Sequence, residues 1–531
     1  MAILENLTKP VSRKTQGAII LGLILMLSFL ARLPFLNVPL DGDSGVFTAI
    51  GRLIARHGLL LYRDLFEIKP PGIYFLFAAL FKVIDLDLFG VNVFTACWNT
   101  ANVFLVYLLA KRLFNKKTAL IAAFFYGLFS SSPVISGTFP LTENFMITFT
   151  VMGAFFVIKS IQENRNFYFL AGLFYGVGFL FKQIAAMEMF AAVILLFLAS
   201  FRPGGKVEIK YFLRGLLFYS GGLILIFGIS ALYFFIKGAY NDFIFCALIY
   251  NFKYISVGYR SLSSYWLHFF NANFAIFRAT ALLWITSAIF MAETFKDIFT
   301  KRPAAGEKQA VLNRIFLLVW IIFAFIGVCL SGQFIVHYYI VLMPPFSIAC
   351  AAALTRPWAA RRNSFYNAVM YILTAVCVIY AIAVHYRYYF TYKPEEIAIN
   401  VFGDSPFNEA RQVGLYLRRH TTPGDYIYNW SKEPEIFFYT RAKPTSRYLW
   451  LSHYTVYYRP GAVDEVAHAL AEHPPKYIVI DTHIGHWIHE PIFKPIKDFF
   501  DRNKYIPEKD FSVVRNGKFQ YNFLVSRRIE R

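Results

Sequence analysis

Two carboxylates one residue apart, Asp41 and Asp43, sit in the stretch VPLDGDSGVFTAIGRLIARHG (38–58), directly after the first strongly apolar segment of the chain. The same loop continues into LLYRDLFEIKPPG, which adds Arg63, Asp64, Glu67 and Lys69. An acid in such a place has three uses. It caps a helix by accepting a bond from first-turn amides, it takes a proton from a reacting hydroxyl or amine as a general base, or with a second acid it holds a divalent cation over a phosphate. One cap suffices for one helix, so capping accounts for one acid and leaves the other unexplained. Lys and Arg beside it supply positive charge where a departing phosphate develops its own.

The elements that must position these residues are membrane spans. Of the 531 residues 57% are hydrophobic, 19% aromatic and only 16% charged, a balance foreign to soluble domains. Apolar runs near the bilayer-spanning length of about 20 residues recur from residue 17 to about residue 390 and then stop. The first run is too long for a signal-peptide core and leads into RLPFLNVPLDGD rather than a cleavage site, so it reads as a retained span. The formal charge of +21 resides largely in short links such as KRLFNKK, FRPGGKVEIKYFLRG, FKDIFTKRPAAGEKQAVLNR and TRPWAARRN. Those links carry no interleaved aromatic platform, which excludes a nucleic-acid partner and leaves the positive-inside topology signal.

Threading by that rule predicts spans near 17–36, 90–110, 118–136, 142–159, 167–182, 184–201, 212–236, 275–295, 312–332, 338–354 and 365–390, about eleven in all. PPGIYFLFAALFKVIDLD must then be a juxtamembrane helix, because treating it as a span inverts every later basic link. The helix after Asp43 reads as amphipathic and interfacial, with Val46, Phe47, Ile50, Leu53 and Ile54 on one face and Thr48, Arg52 and Arg56 elsewhere. The threading gathers Arg63, Lys69, Lys182, Lys253, Arg260 and His337 at or near the outer face. Lys182 interrupts the apolar stretch FYFLAGLFYGVGFLFKQIAAMEMFAAVILLFLAS and marks a hairpin tip, where a lysine either snorkels or serves function, with Glu188 as a pairing partner.

After residue 390 the pattern changes to helix, turn and strand: FNEARQVGLYLRRH, TTPGD, YIYNW, then AVDEVAHALAEH before PPKYIVID. The chain therefore divides into an all-α membrane part, 1–390, and a small α/β extracytoplasmic part, 391–531. The five cysteines show no CxxC spacing, so neither disulfide nor zinc is indicated. Asp481, His483, His486 and His489 in IDTHIGHWIHEP lack a second ligand pair and read as a polar loop after a strand.

An acid-bearing first outer loop, then YRDLFEIKPP, an outer PLTENF, a span ending in FLFKQ and a late HYYIVLMPPF resemble the integral-membrane glycosyltransferases of the GT-C fold. The match is nearest the bacterial relatives of protein mannosyltransferases and of aminoarabinose transferases acting on lipid A, and it covers the membrane part. The resemblance implies a catalytic acid in the first outer loop. Asp43 fits that position best, although the family's Asp-Glu pair is here Asp43–Ser44 preceded by Asp41, so both Asp41 and Asp43 stand as catalytic candidates. It further implies that Lys69 of FEIKPP holds phosphate, that Glu143 stands where relatives carry a second acid, and that Tyr339 stands where they carry a tyrosine. Arg63, Glu67, Lys182, Lys253, Arg260 and His337 complete the expected substrate-binding set.

The implied reaction moves a sugar from a polyprenyl (undecaprenyl-type) phosphate to a lipid, glycan or protein acceptor at the outer face of a bacterial inner membrane, with the N-terminus cytoplasmic. One base without a nucleophilic partner implies inversion at the anomeric carbon. No cofactor is expected, since Lys and Arg can neutralise a monophosphate, while a divalent metal on the DGD acids is the alternative. A transporter or flippase would instead place paired repeats and acids within spans near the midplane. A glycan ligase or polymerase shares the donor class and topology but gives no reason for this first loop.

Overall fold

The computed structural model describes residues 12–201, 206–252, 261–300, 308–355, 364–403, 405–515 and 518–529. Its membrane part is built from helices α1 (Arg13–Leu30), α2 (Gly42–His57), α3 (Gly72–Val83), α4 (Leu88–Leu113), α5 (Lys116–Phe129), α6 (Thr142–Glu163), α7 (Tyr168–Phe181), α8 (Ala185–Ala199), α9 (Ile209–Ile236), α10 (Leu262–Ala279), α11 (Ala281–Thr300), α12 (Lys308–Leu330), α13 (Met343–Thr355) and α14 (Ser364–Val384).

Among the described residues, six helices are long and apolar enough to cross a bilayer: Lys14–Phe35, Leu88–Leu113, Thr142–Glu163, Ile209–Ile236, Lys308–Leu330 and Val336–Thr355. A seventh arises if α10 and α11, which meet at a 98° bend, count as one. A helix stands at each of the eleven positions predicted from sequence, but the remaining ones do not meet that measure over their described apolar length or are bent. The predicted 275–295 span is corrected in this way, its helix being broken at Thr280. PPGIYFLFAALFKVIDLD forms α3, whose 12 residues extend only about 18 Å.

The described helix ends that flank the basic links gather at one end of the bundle. Arg112 at the end of α4 pairs with Glu163 at the end of α6 at 2.5 Å. Asn313 at the start of α12 donates to Leu113 O at 2.7 Å, and Thr118 at the start of α5 meets Thr355 at the end of α13 at 2.6 Å. Lys308 donates to Phe201 O beyond α8, and Arg314 pairs with Asp297 of α11. The starts of α2 and α6, the α7–α8 turn and the end of α12 lie at the other end, where the cavity described below opens.

The tail after residue 390 comprises α15 (Phe407–His420), β1 (Tyr426–Trp430), α16 (Ile436–Thr440), β2 (Lys443–Pro444), α17 (Ala462–Glu472), β3 (Tyr477–Asp481), α18 (Lys494–Arg502), β4 (Tyr505–Arg515) and β5 (Lys518–Arg528). Its sheet order is β2-β1-β3-β5-β4, with β1 parallel to β2 and β3, and β5 antiparallel to β3 and β4. YIYNW and YIVID are the two strands read from sequence, and both are buried as parallel strands require.

The tail sits on α2, which corrects the reading of that helix as interfacial with an exposed polar face. Thr48 and Arg52 are buried, and Arg52 Nη1 donates to Phe438 O of α16 at 2.5 Å. Approach is closest at Gly45, where an added Cβ would lie 2.3 Å from the Glu435 Cβ. Ala410, Val413, Leu417, Phe437, Val479 and Phe523 of the tail share one continuous apolar core with the bundle.

Candidate active site

The sequence DGDS fixes the start of α2. Asp41 is the N-cap: Ser44 N donates to Asp41 Oδ1 at 3.1 Å and Asp41 N donates to Ser44 Oγ at 3.1 Å, a reciprocal capping box. Gly58 ends the helix at φ 68°, a conformation that a glycine adopts at no steric cost. The Asp41 carboxylate is thus committed to the backbone. Burial, then the charge of Asp43, pushes it up to about 6, against the opposing bonds from Ser44.

Asp43 lies two residues on, with its side chain 35% exposed, and Lys69 Nζ donates to its Oδ1 at 2.9 Å. Burial alone would raise this carboxyl, but Lys69, His337 and Lys182 outweigh it and hold Asp43 below the usual carboxylate range. Lys69 is steered by its own backbone and by packing. Tyr62 Oη donates to Lys69 O at 2.8 Å, and the ammonium stands 4.7 Å from the centroid of the Phe47 ring. Burial opposes the charge of Lys69, yet Asp43 and Glu67 hold its ammonium above the usual lysine range. Glu67 accepts from Ile68 N at 2.7 Å, and burial pushes its carboxyl up.

A second pair faces the first. Glu143, in the first turn of α6 and 1% exposed, is bound by Lys182 from the α7–α8 turn and accepts from Thr142 Oγ1 at 2.9 Å. His337 bridges the pairs, with Nε2 3.6 Å from Asp43 Oδ2 and 3.8 Å from Glu143 Oε1. Lys182 also lies 4.0 Å from the Tyr338 ring centroid. Five separate segments therefore supply two lysine–carboxylate pairs joined by one imidazole.

These groups border a cavity of about 490 Å³. Asp43, Glu67, Lys69 and Lys182 line it, with Val46, Ile184, Met187, Leu330 and Ile335 as an apolar side. The tail closes the rest with Lys432, Pro434, Trp450, Ser452 and Thr455. Of the residues expected from sequence, Asp43, Glu67, Lys69, Glu143, Lys182 and His337 come together. Arg63 does not: it pairs with Asp64 at 2.7 Å, with its side chain 52% exposed. Tyr339 is buried toward Asn273 and Tyr265, and its neighbour Tyr338 lines the cavity instead. Lys253 and Arg260 lie outside the described residues. Glu188 faces Thr150 and Trp320 rather than Lys182.

Sequence reasoning missed the tail's share of the wall, since nothing in SKEP or LWLS marks those loops as facing residues 43–69. In the tail loop read as polar, the His483 backbone N–H donates to Asp481 Oδ1 at 2.9 Å.

A family model described as dolichyl-phosphate-mannose-protein mannosyltransferase matches residues 68–233. No curated protein matches the chain by sequence. Among solved structures, the oligosaccharyltransferase of Archaeoglobus fulgidus tethered to an acceptor peptide aligns over 97% of this chain and 76% of its own, with a TM-score of 0.56 and 13% identity. The same archaeal enzyme with an inhibitory peptide and a dolichol-phosphate aligns over 96% and 74%, with a TM-score of 0.56 and 12% identity. ArnT from Cupriavidus metallidurans bound to undecaprenyl phosphate aligns over 96% of this chain and 98% of its own, again with a TM-score of 0.56 and 12% identity. At such identities the likeness shows the fold, that of a multi-pass membrane protein of the GT-C glycosyltransferase type, and the family model adds that residues 68–233 are similar to the protein mannosyltransferases.

Proposed function

We propose that this GT-C-fold membrane protein is a glycosyltransferase that moves a sugar from a polyprenyl monophosphate to a hydroxyl or amine of a lipid, glycan or protein acceptor, with Asp43 as general base. The observation that carries this reading is the Lys69–Asp43 pair on a cavity wall. Phosphate-binding charge and proton acceptor stand side by side, with Lys182 on the same wall and an apolar side suited to the first isoprene units.

Lys69 neutralises Asp43 and depresses its basicity. A bound donor phosphate competes for Lys69 and Lys182 and adds negative charge beside Asp43, which makes the carboxylate a stronger base when an acceptor is present. Asp43 then takes the acceptor's proton as the acceptor oxygen or nitrogen bonds to the anomeric carbon. The bond from that carbon to the phosphate oxygen breaks, its electron pair goes to the phosphate, and the polyprenyl phosphate leaves with one more negative charge. Lys69 and Lys182 stabilise that charge. A single displacement inverts the anomeric carbon. His337, within 4 Å of both carboxylates, orients the pairs.

The acids nearest the phosphate already carry lysine partners and Asp41 is bound up in its capping box, so this reaction runs without a divalent metal. With the helix ends that flank the basic links gathered at one end, the positive-inside rule favours that end and the N-terminus in the cytoplasm and the cavity and tail outside, as for a bacterial inner membrane. Residues 1–390 then form the membrane part and 391–531 its extracytoplasmic cap.

The test is transfer by the purified protein from a panel of synthetic undecaprenyl-phosphate hexoses, each labelled in the sugar. Release of undecaprenyl phosphate matched by label in an acceptor is expected with at least one. Movement of an intact lipid-linked sugar across liposomes without bond cleavage would replace this reading with a transporter.

A further inference from the structure

Three tryptophans occupy the tail's central loops and strands, and two have their rings packed against aromatic neighbours. Trp430 is buried against Phe493, with ring centroids 5.2 Å apart. Trp487 packs on His453 at 4.4 Å and carries the Lys432 ammonium 4.8 Å from its centroid. Trp450 differs: it is 37% exposed, and it lines the cavity that holds Asp43, Lys69 and Lys182.

Its position is set by the chain around it. The Phe66 amide donates to Arg447 O at 2.8 Å, which clamps the tail loop leading to Trp450 onto the loop leading to Lys69. Both loops leave that clamp three residues later in the same cavity. On the other side, buried Asn429 donates from Nδ2 to Leu449 O and to Glu433 O, each at 3.2 Å, and so ties together the loops that carry Trp450 and Lys432.

Resting on the donor reading above, we infer that Trp450 is the platform for the sugar ring of the lipid-phosphate donor, with Lys432 donating to a ring hydroxyl. The sugar is joined directly to the phosphate held by Lys69 and Lys182, so it occupies the space next to them. The cavity surface contributed by the tail carries no acid among its described lining residues. An indole face is the negative face of a quadrupole, which the slightly positive C–H groups of a pyranose face complement. Lys432, whose ammonium stands over Trp487, also lines the cavity and offers a donor there.

The experiment compares the affinity of the full-length protein in detergent for undecaprenyl phosphate and for the panel of undecaprenyl-phosphate hexoses, in the wild type, Trp450→Ala and Trp450→Phe. Expected is a wild type that binds at least one hexosyl form more tightly than undecaprenyl phosphate. Trp450→Ala should lose about tenfold of the hexosyl affinity, on the scale of one aromatic contact, with undecaprenyl phosphate bound as before, and Trp450→Phe should retain most of it. Loss of both affinities to the same extent in Trp450→Ala, or of neither, overturns the inference alone. A wild type that binds none of these lipids overturns the donor reading and the inference with it.

Discussion

Lys69 Nζ lies 2.9 Å from Asp43 Oδ1, so the residue suited to bind phosphate and the residue suited to accept a proton neutralise each other. Replacing Lys69 by Met removes a charged hydrogen bond to the phosphate, an interaction of about 1.5–3 kcal/mol, so affinity for undecaprenyl phosphate should fall roughly 10- to 100-fold. Turnover should fall as well, because the leaving phosphate gains charge. Arg63→Ala, which breaks only the exposed pair with Asp64, should change either quantity less than twofold by the weak worth of such pairs. Equilibrium lipid binding and steady-state transfer check both variants.

The capping acid makes a prediction about pH. The Asp41 carboxyl stands at about 6 in the folded protein against an ordinary 3.8, raised first by burial. The folded state therefore holds this proton more tightly than the unfolded one. Stability falls as pH rises from about 4 to about 6, and the penalty is complete above that range. Asn caps as well as Asp, so Asp41→Asn should melt higher than wild type at pH 7–8, with the difference shrinking toward pH 4. A melting series in detergent from pH 4 to 8 reads this directly, and a variant less stable at pH 8 would count against the account of Asp41.

The tail is held on α2 by a close contact at Gly45. Gly45→Ala places a methyl group 2.3 Å from the Glu435 Cβ, an overpacking expected to cost about 1–3 kcal/mol. Gly42→Ala meets nothing within 4 Å and serves as the control in the same helical turn. Thermal unfolding and protease release of the tail should separate the two variants.

Chelation tests how the phosphate is held. With Lys69 on Asp43 and Lys182 on Glu143, transfer should continue in EDTA. Loss of activity restored by Mg²⁺ or Mn²⁺ would make Asp43 a metal ligand and move the search for the base to Glu143.

Asp43 and Lys69 are legible in the sequence because each lies in a polar stretch beside an apolar span, where charge is costly and so conspicuous. Lys182 stands out for the same reason, whereas Glu143 stands out only through the family resemblance. Tyr338 and Tyr339 are adjacent and alike in type, and only the turn of the Val336–Leu342 helix decides which one faces the cavity. Long-range cover is invisible to any local pattern. Thr48 and Arg52 read as the wet face of an amphipathic helix until residues 435–438, almost 400 positions on, are laid over them. The same holds for Trp450 and Lys432, whose place on the cavity wall depends on the clamp between Phe66 and Arg447.

The most direct test of the central claim is the turnover number of Asp43→Asn against Asp41→Asn, measured with the best undecaprenyl-phosphate hexose and accompanied by the affinity for undecaprenyl phosphate. Asp43→Asn should lower turnover by about 10²-fold or more, the scale of losing a general base, while binding undecaprenyl phosphate as tightly as wild type or more so, since Lys69 is freed. Asp41→Asn should remain close to wild type. A mild effect at Asp43 with abolished turnover at Asp41 would contradict the account and assign the base to the capping residue.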